Sequence, residues 1–266
     1  MKQDLRFKGQ CIADCNGSRV TIAAVREEDI EPLSVMYQQT WINDENYLQR
    51  LSPSEPRSFQ NIGGMFEILD KKKLTSLLDD PDYCMLTAKD TQGSVLGLIW
   101  YSNNPGRFET ISPNDYFPGK GDWHTRLEQA KRDEDLIYGG EILLSPENKV
   151  RGIPLLLFHV MLEYMCSLGF HMGTGEVYKV YCDLFPDEEQ LNIRSYKTLL
   201  KVGGDHAGSF PPKLLKIGTA NVEVASQIFL WDIPSALERI MRELGQIDIH
   251  IVTRKDEWDE KKRTND

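Results

Sequence analysis

The stretch Lys149-Val150-Arg151-Gly152-Ile153-Pro154 is where chemistry is most readily placed in this chain. The apolar run before it, "DLIYGGEILLS", predicts a strand, and the apolar residues after it predict a helix over 155–168, stopped by Gly169. A strand, a turn with glycine and a helix entrance form an anion site. The first N–H groups of a helix have no partners inside it, and its dipole favours negative charge. Gly152 would let the backbone approach a phosphate closely, while Lys149 and Arg151 add positive charge. Pro154 suits a first helical turn but contributes no N–H. Taken alone, the six residues are also what an ordinary strand-to-helix turn looks like.

Other reactive side chains carry less. His124 stands beside Trp123 in a segment read as a loop and could act as a base; a solvated loop histidine is the plainer reading. His159 and His171 flank the apolar helix and read as structural. The five cysteines are scattered, which argues against a disulfide framework. Cys11 and Cys15 stand four apart with no second Cys or His pair at zinc spacing, so no metal is expected.

The elements that would position these residues follow from periodicity. Residues 1–18 read as a polar leader. Residues 19–25 are a strand by β-branched content. Helical spacing of Ile30, Leu33, Met36 and Tyr37 predicts a helix after Glu27, Glu28 and Asp29. Residues 52–64 are a loop, and 65–81 a second helix ended by Pro81. A hairpin is expected over 83–88 and 95–102, turning at "KDTQG". Residues 103–135 are a long Pro-, Gly- and aromatic-rich loop. After the apolar helix come a strand in "GEVYKVYCDLF", a helix closed by Gly203 and Gly204, further strands over 214–233, a short helix over 235–244, a last strand over 246–252 and a charged tail. The division is a leader over 1–18, a main domain over 19–233 with an insertion at 103–135, and an extension over 234–266. The insertion and the C-terminal segment are candidates for a lid or a homodimer interface.

Composition limits the classes. The chain has 266 residues, 40% of them hydrophobic and 27% charged, which suits a globular fold with a sizeable core. Its net charge of −10 makes nucleic acid and anionic membranes poor partners, because both need a basic face. No signal peptide and no membrane-length apolar run is read, and a cytoplasmic protein is expected.

The order of elements, with "SPENKVRGIP" between strand and apolar helix and "NIRSYKTLLKVGG" on a later helix, resembles the GNAT superfamily of acyl-CoA-dependent N-acyltransferases. "TIAAVREEDIEPL" is similar to that family's first strand and helix. The resemblance covers roughly 19–204, with a further strand near 222–231. It implies an α/β (α+β) fold: a mixed, mostly antiparallel twisted sheet flanked by helices. It implies acetyl-CoA or another short acyl-CoA as co-substrate, with Lys149, Val150, Arg151, Gly152, Ile153 and Leu155 around the pyrophosphate. Leu143 and Leu144 would serve the pantetheine arm and the oxyanion, and Asn192 would lie at the next helix start. The acceptor would be a small-molecule amine or a Lys or N-terminal amine. Glu141 is the expected base, and Tyr181 or Tyr196 would approach the sulfur. Trp41, Tyr47, Tyr101, Tyr116, Phe117 and Trp123 would line the acceptor side or pack in the core. The chain departs from the family at Pro154, where Gly or Ala is usual, at Lys149, where Gln or Arg is usual, and at Leu199, often a Tyr acting as general acid. These departures leave an alternative, an inactive acyl-CoA-binding or protein-interaction module with the same fold.

Overall fold

Residues 4–104 and 112–255 are described by the computed structural model of the chain. Residues 105–111 of the expected insertion and 256–266 of the expected tail lie outside them. The strands are β1 (Gln10–Cys15), β2 (Ser18–Ala24), β3 (Tyr83–Lys89), β4 (Val95–Ser102), β5 (Leu136–Leu144), β6 (Met172–Cys182), β7 (Gln190–Leu191), β8 (Asp205–Ser209), β9 (Lys213–Ile217), β10 (Ala220–Asp232) and β11 (Ile249–Lys255). The helices are α1 (Ile30–Thr40), α2 (Tyr47–Leu51), α3 (Phe59–Ile62), α4 (Lys71–Leu78), α5 (Gly121–Arg132), α6 (Ile153–Ser167), α7 (Ile193–Lys201) and α8 (Ile233–Gln246). The strands make one sheet in the order β11-β1-β2-β3-β4-β5-β6-β10-β8, with β7 paired to β6 and β9 to β10. Among the described strands, β5 and β6 are paired in parallel and the other ladders are antiparallel. This is the mixed, mostly antiparallel, helix-flanked sheet that the sequence led us to expect.

Both faces are covered, which is why β4 is buried along its whole length. Helix α6 is apolar on nearly every side because it lies between the sheet and α8. Helix α8 buries the single stripe Ile233, Ala236, Ile240 and Leu244. On the opposite face α1 and α4 pack over β3–β5, around Leu33, Tyr37, Leu74, Leu98 and Trp100. Helix α5 covers the start of β5 and β6 through Trp123, Leu127 and Ala130.

Several expectations are corrected. The polar leader contains β1, which turns Cys11, Ala13 and Cys15 inward; alanine and cysteine carry little strand signal, so the alternation went unseen. The loop over 103–135 contains α5, which begins at Gly121, the last of the Pro and Gly residues that suggested a loop. The helix over 65–81 starts at Lys71, because Asp70 caps it by accepting from the Lys73 N–H at 2.7 Å. The short helix expected over 235–244 runs from Ile233 to Gln246 and helps to close the main core, and the last strand, β11, pairs with β1.

Candidate active site

The site begins where β5 and β6 part. Their ladder joins Leu136, Ile137 and Tyr138 to Met172, Gly173 and Thr174 and goes no further, although β5 continues to Leu144. The β4–β5 register shifts between Ile99 and Tyr101, which leaves Gly140 and Glu141 together opposite Trp100. Such a bulge bends its strand and sharpens its twist, so it accounts for β5 turning away from β6. The adjacent glycines make this possible. A Cβ on Gly140 would overlap the Trp100 indole, and one on Gly139 would lie 3.1 Å from the Thr174 carbonyl oxygen.

The parting leaves backbone groups without a neighbouring strand. The Ser145 N–H donates to the Leu96 carbonyl at 2.9 Å. Backbone groups alternate in direction along an antiparallel ladder, so Ser145 and Leu143 turn theirs toward β4, while Leu144 and Ile142 turn theirs toward the gap. Of the two expected leucines, Leu144 therefore meets the gap through its backbone. Leu143 does not, and its side chain is buried against α1 and α4. Ile142 takes that place.

At the entrance of α6, Gly152 is the N-cap in the left-handed region (φ 79°), with Pro154 in the first turn. The first helical bond runs from the Leu156 N–H to the Gly152 carbonyl at 3.0 Å. Ile153 and Leu155 supply first-turn N–H groups, and Pro154 supplies none. Lys149 and Arg151 are exposed and carry no ion pair among the described residues. The Val150 N–H is already held by Asn148 Oδ1 at 2.8 Å. One expectation changes here. The space beside Gly152 is not left for a ligand: a Cβ there would overlap Ile249 Cδ1 and lie 2.6 Å from Ile247 Cδ1.

Asn192 sits at the start of α7. Its N–H donates to the Tyr178 carbonyl at 3.0 Å, tying this helix end to β6. Its side chain caps α7 by accepting from the Ser195 N–H at 3.1 Å, so it is already engaged within the protein.

Glu141 lies at the bulge on the α1 face. Tyr37 Oη donates to Glu141 Oε2, and Trp100 Nε1 donates to the same oxygen at 3.3 Å. Burial, and then the charge of Glu141, push the Tyr37 phenol well above its ordinary range, so Tyr37 stays a protonated donor. Across the parting, Tyr138 Oη donates to Glu176 Oε1 at 2.7 Å. Tyr83, Trp100 and Tyr138 form a row of rings, with centroids 5.7 and 6.5 Å apart.

The two expected tyrosines lie elsewhere. Tyr181 alternates onto the α6 face near the end of β6, where it donates to Glu189 at 2.5 Å. Tyr196 packs edge-on to Phe229 and His206 and partly fills the main core. The structure does not bring either beside Glu141. Leu199 is buried in the same core. His124 is on α5, edge-on to Tyr116. Among the expected acceptor-side aromatics, Tyr101 faces Phe158 of α6, Tyr47 bonds Thr219, and Trp123 Nε1 donates to Asp205. Tyr37, Trp100, Tyr138, Ile142 and Glu176 were not anticipated. The Gly139-Gly140 pair within a strand was a readable bulge signal; Tyr37, 104 residues from Glu141, left none.

No protein-family model matches the chain, and no curated protein matches it. Solved structures do resemble it. The RimJ protein of Mycobacterium smegmatis, in complex with CoA-disulfide, is 11% identical over 89% of this chain and 94% of its own, with a TM-score of 0.49. Spermidine N-acetyltransferase of Vibrio cholerae, in complex with CoA and spermine, is 14% identical over 82% and 98%, with a TM-score of 0.44. A phosphinothricin acetyltransferase of the GNAT superfamily from Sinorhizobium meliloti, in complex with AcCoA, is 14% identical over 80% and 88%, with a TM-score of 0.45. At these values the likeness is one of fold outline. No helix among the described residues is long and apolar enough to cross a membrane.

Proposed function

We propose that the chain is a GNAT-type N-acyltransferase that moves an acetyl or other short acyl group from acyl-CoA to a primary amine. The observation that carries this reading is the parting of β5 from β6 after three rungs, which leaves the Ile142 and Leu144 backbone groups facing a gap. An extended pantetheine arm, with its amides, fits such a strand edge. The Ile153 and Leu155 N–H groups, with Lys149 and Arg151, fit a pyrophosphate.

Glu141 takes a proton from the acceptor ammonium, with its carboxylate oriented by Tyr37 and Trp100. The freed amine attacks the thioester carbonyl. A gap-facing N–H of β5, from Ile142 or Leu144, receives the oxyanion. Collapse expels the CoA thiolate, which takes up a proton, and leaves the amide. The acceptor is a small amine, or a lysine or N-terminal amine of a protein. A cytoplasmic location goes with this reading.

Pro154 and the buried Leu199 favour one alternative, a module that binds acyl-CoA without turnover. Thiol release from acetyl-CoA over a panel of amines separates the two. The wild type is expected to turn over. Glu141→Gln is expected to lower kcat by about 10²–10⁴-fold with acetyl-CoA affinity kept. Tight acetyl-CoA binding with no turnover on any amine would favour the module.

A further inference from the structure

Glu176 is a half-buried carboxylate on an interior strand. Its hydrogen-bond partner is neutral, the Tyr138 hydroxyl. Among the described residues it has no ion pair. Lys179, on the same strand, alternates to the other face and is bound to Glu189 at 2.8 Å. Removing a carboxylate from water is costly unless a cation compensates it. The position of this one is informative. Glu176 follows the last β5–β6 rung by two residues, on the face where Glu141 meets Tyr37 and Trp100. The ring of Tyr138 stands beside it, with the Trp100 ring 6.5 Å from that of Tyr138, and ring faces attract organic cations.

We propose that Glu176, oriented by Tyr138, determines acceptor specificity by binding a second cationic group on the acceptor. The preferred acceptor is then a diamine-like molecule. One nitrogen gives its proton to Glu141 and is acylated, while the other keeps its charge and rests on Glu176. This rests on the acyl-transfer reading only for the fate of the first nitrogen; the cation site is testable by itself.

The test is calorimetric titration of diaminobutane and of n-butylamine into the protein, with and without CoA. Diaminobutane is expected to bind at least about tenfold more tightly than n-butylamine, as for a partly desolvated charge pair. Glu176→Gln is expected to abolish that preference. Tyr138→Phe is expected to reduce it, with n-butylamine binding unchanged within error. Equal binding of the two amines, or a preference that survives Glu176→Gln, overturns the proposal. A diamine that binds through Glu176 but is never acylated would overturn acyl transfer and leave the cation site standing. Acylation of both amines with equal kcat/KM would do the reverse.

Discussion

Tyr37 and Trp100 converge on one oxygen of Glu141, and their removal should differ in kind from removal of the carboxylate. Tyr37→Phe leaves the proposed base in place but deletes a donor that stabilises its ionised form. The acid limb of the kcat/KM–pH profile is therefore expected to move to higher pH, with a fall in kcat of roughly tenfold, less than for Glu141→Gln. An unchanged acid limb would mean that Tyr37 only packs. Gly152 makes a second prediction. Its φ of 79° is strained for any residue with a Cβ, and Ile247 and Ile249 occupy the space a Cβ would need. Gly152→Ala should cost about 1–2 kcal/mol for the backbone, more with the overlap, measured as a lower urea midpoint. The sequence singled out Gly152 and Glu141. It could not reveal what surrounds them, because Tyr37, Trp100, Ile247 and Ile249 arrive from distant elements.

Elements explain why these residues meet. The bulge in β5 turns the strand from its neighbour, and the α8–β11 corner presses on the turn that opens α6. Ending the chain after Gln246 removes β11, one of the two strands paired with β1, and both isoleucines. The truncated protein is expected to melt several degrees lower and to bind acetyl-CoA more weakly; unchanged affinity in a folded truncation would show that the corner does not shape the turn. On β8, burial lowers the pKa of His206, whose ring stacks on Phe229. The unfolded chain then binds a proton first, so this contribution to stability is full above the ordinary value near 6.5 and is lost as pH falls below it. His206→Phe should flatten the fall in urea midpoint between about pH 7 and pH 5; an equally steep fall would assign it to other groups. The hairpin β3–β4, the strand β5 and the helix α6 were legible because their apolar runs are long. Helix α5 was not, since its few apolar residues are Trp123, Leu127 and Ala130, spaced among charges.

At the scale of the whole molecule, one sheet covered on both faces carries the site near its middle. The sheet class was readable from the hairpin and the late apolar helices. The meeting of the chain's two ends in β1 and β11 was not, because strand partners are set by tertiary packing, and "QCIADC" reads as polar without one. The net charge of −10 bears on the central claim, since an acidic protein that binds an anionic acyl-CoA must do so through local donors. In the proposed reading those donors are the α6 entrance with Lys149 and Arg151. Calorimetric titration of acetyl-CoA into the wild type and into Lys149→Glu/Arg151→Glu, two exposed changes that should leave the fold intact, tests this most directly. The account predicts micromolar binding that the double variant loses by about 10²-fold or more, two charge-assisted contacts being replaced by repulsion. No binding by the wild type, or equal binding by both proteins, would contradict it.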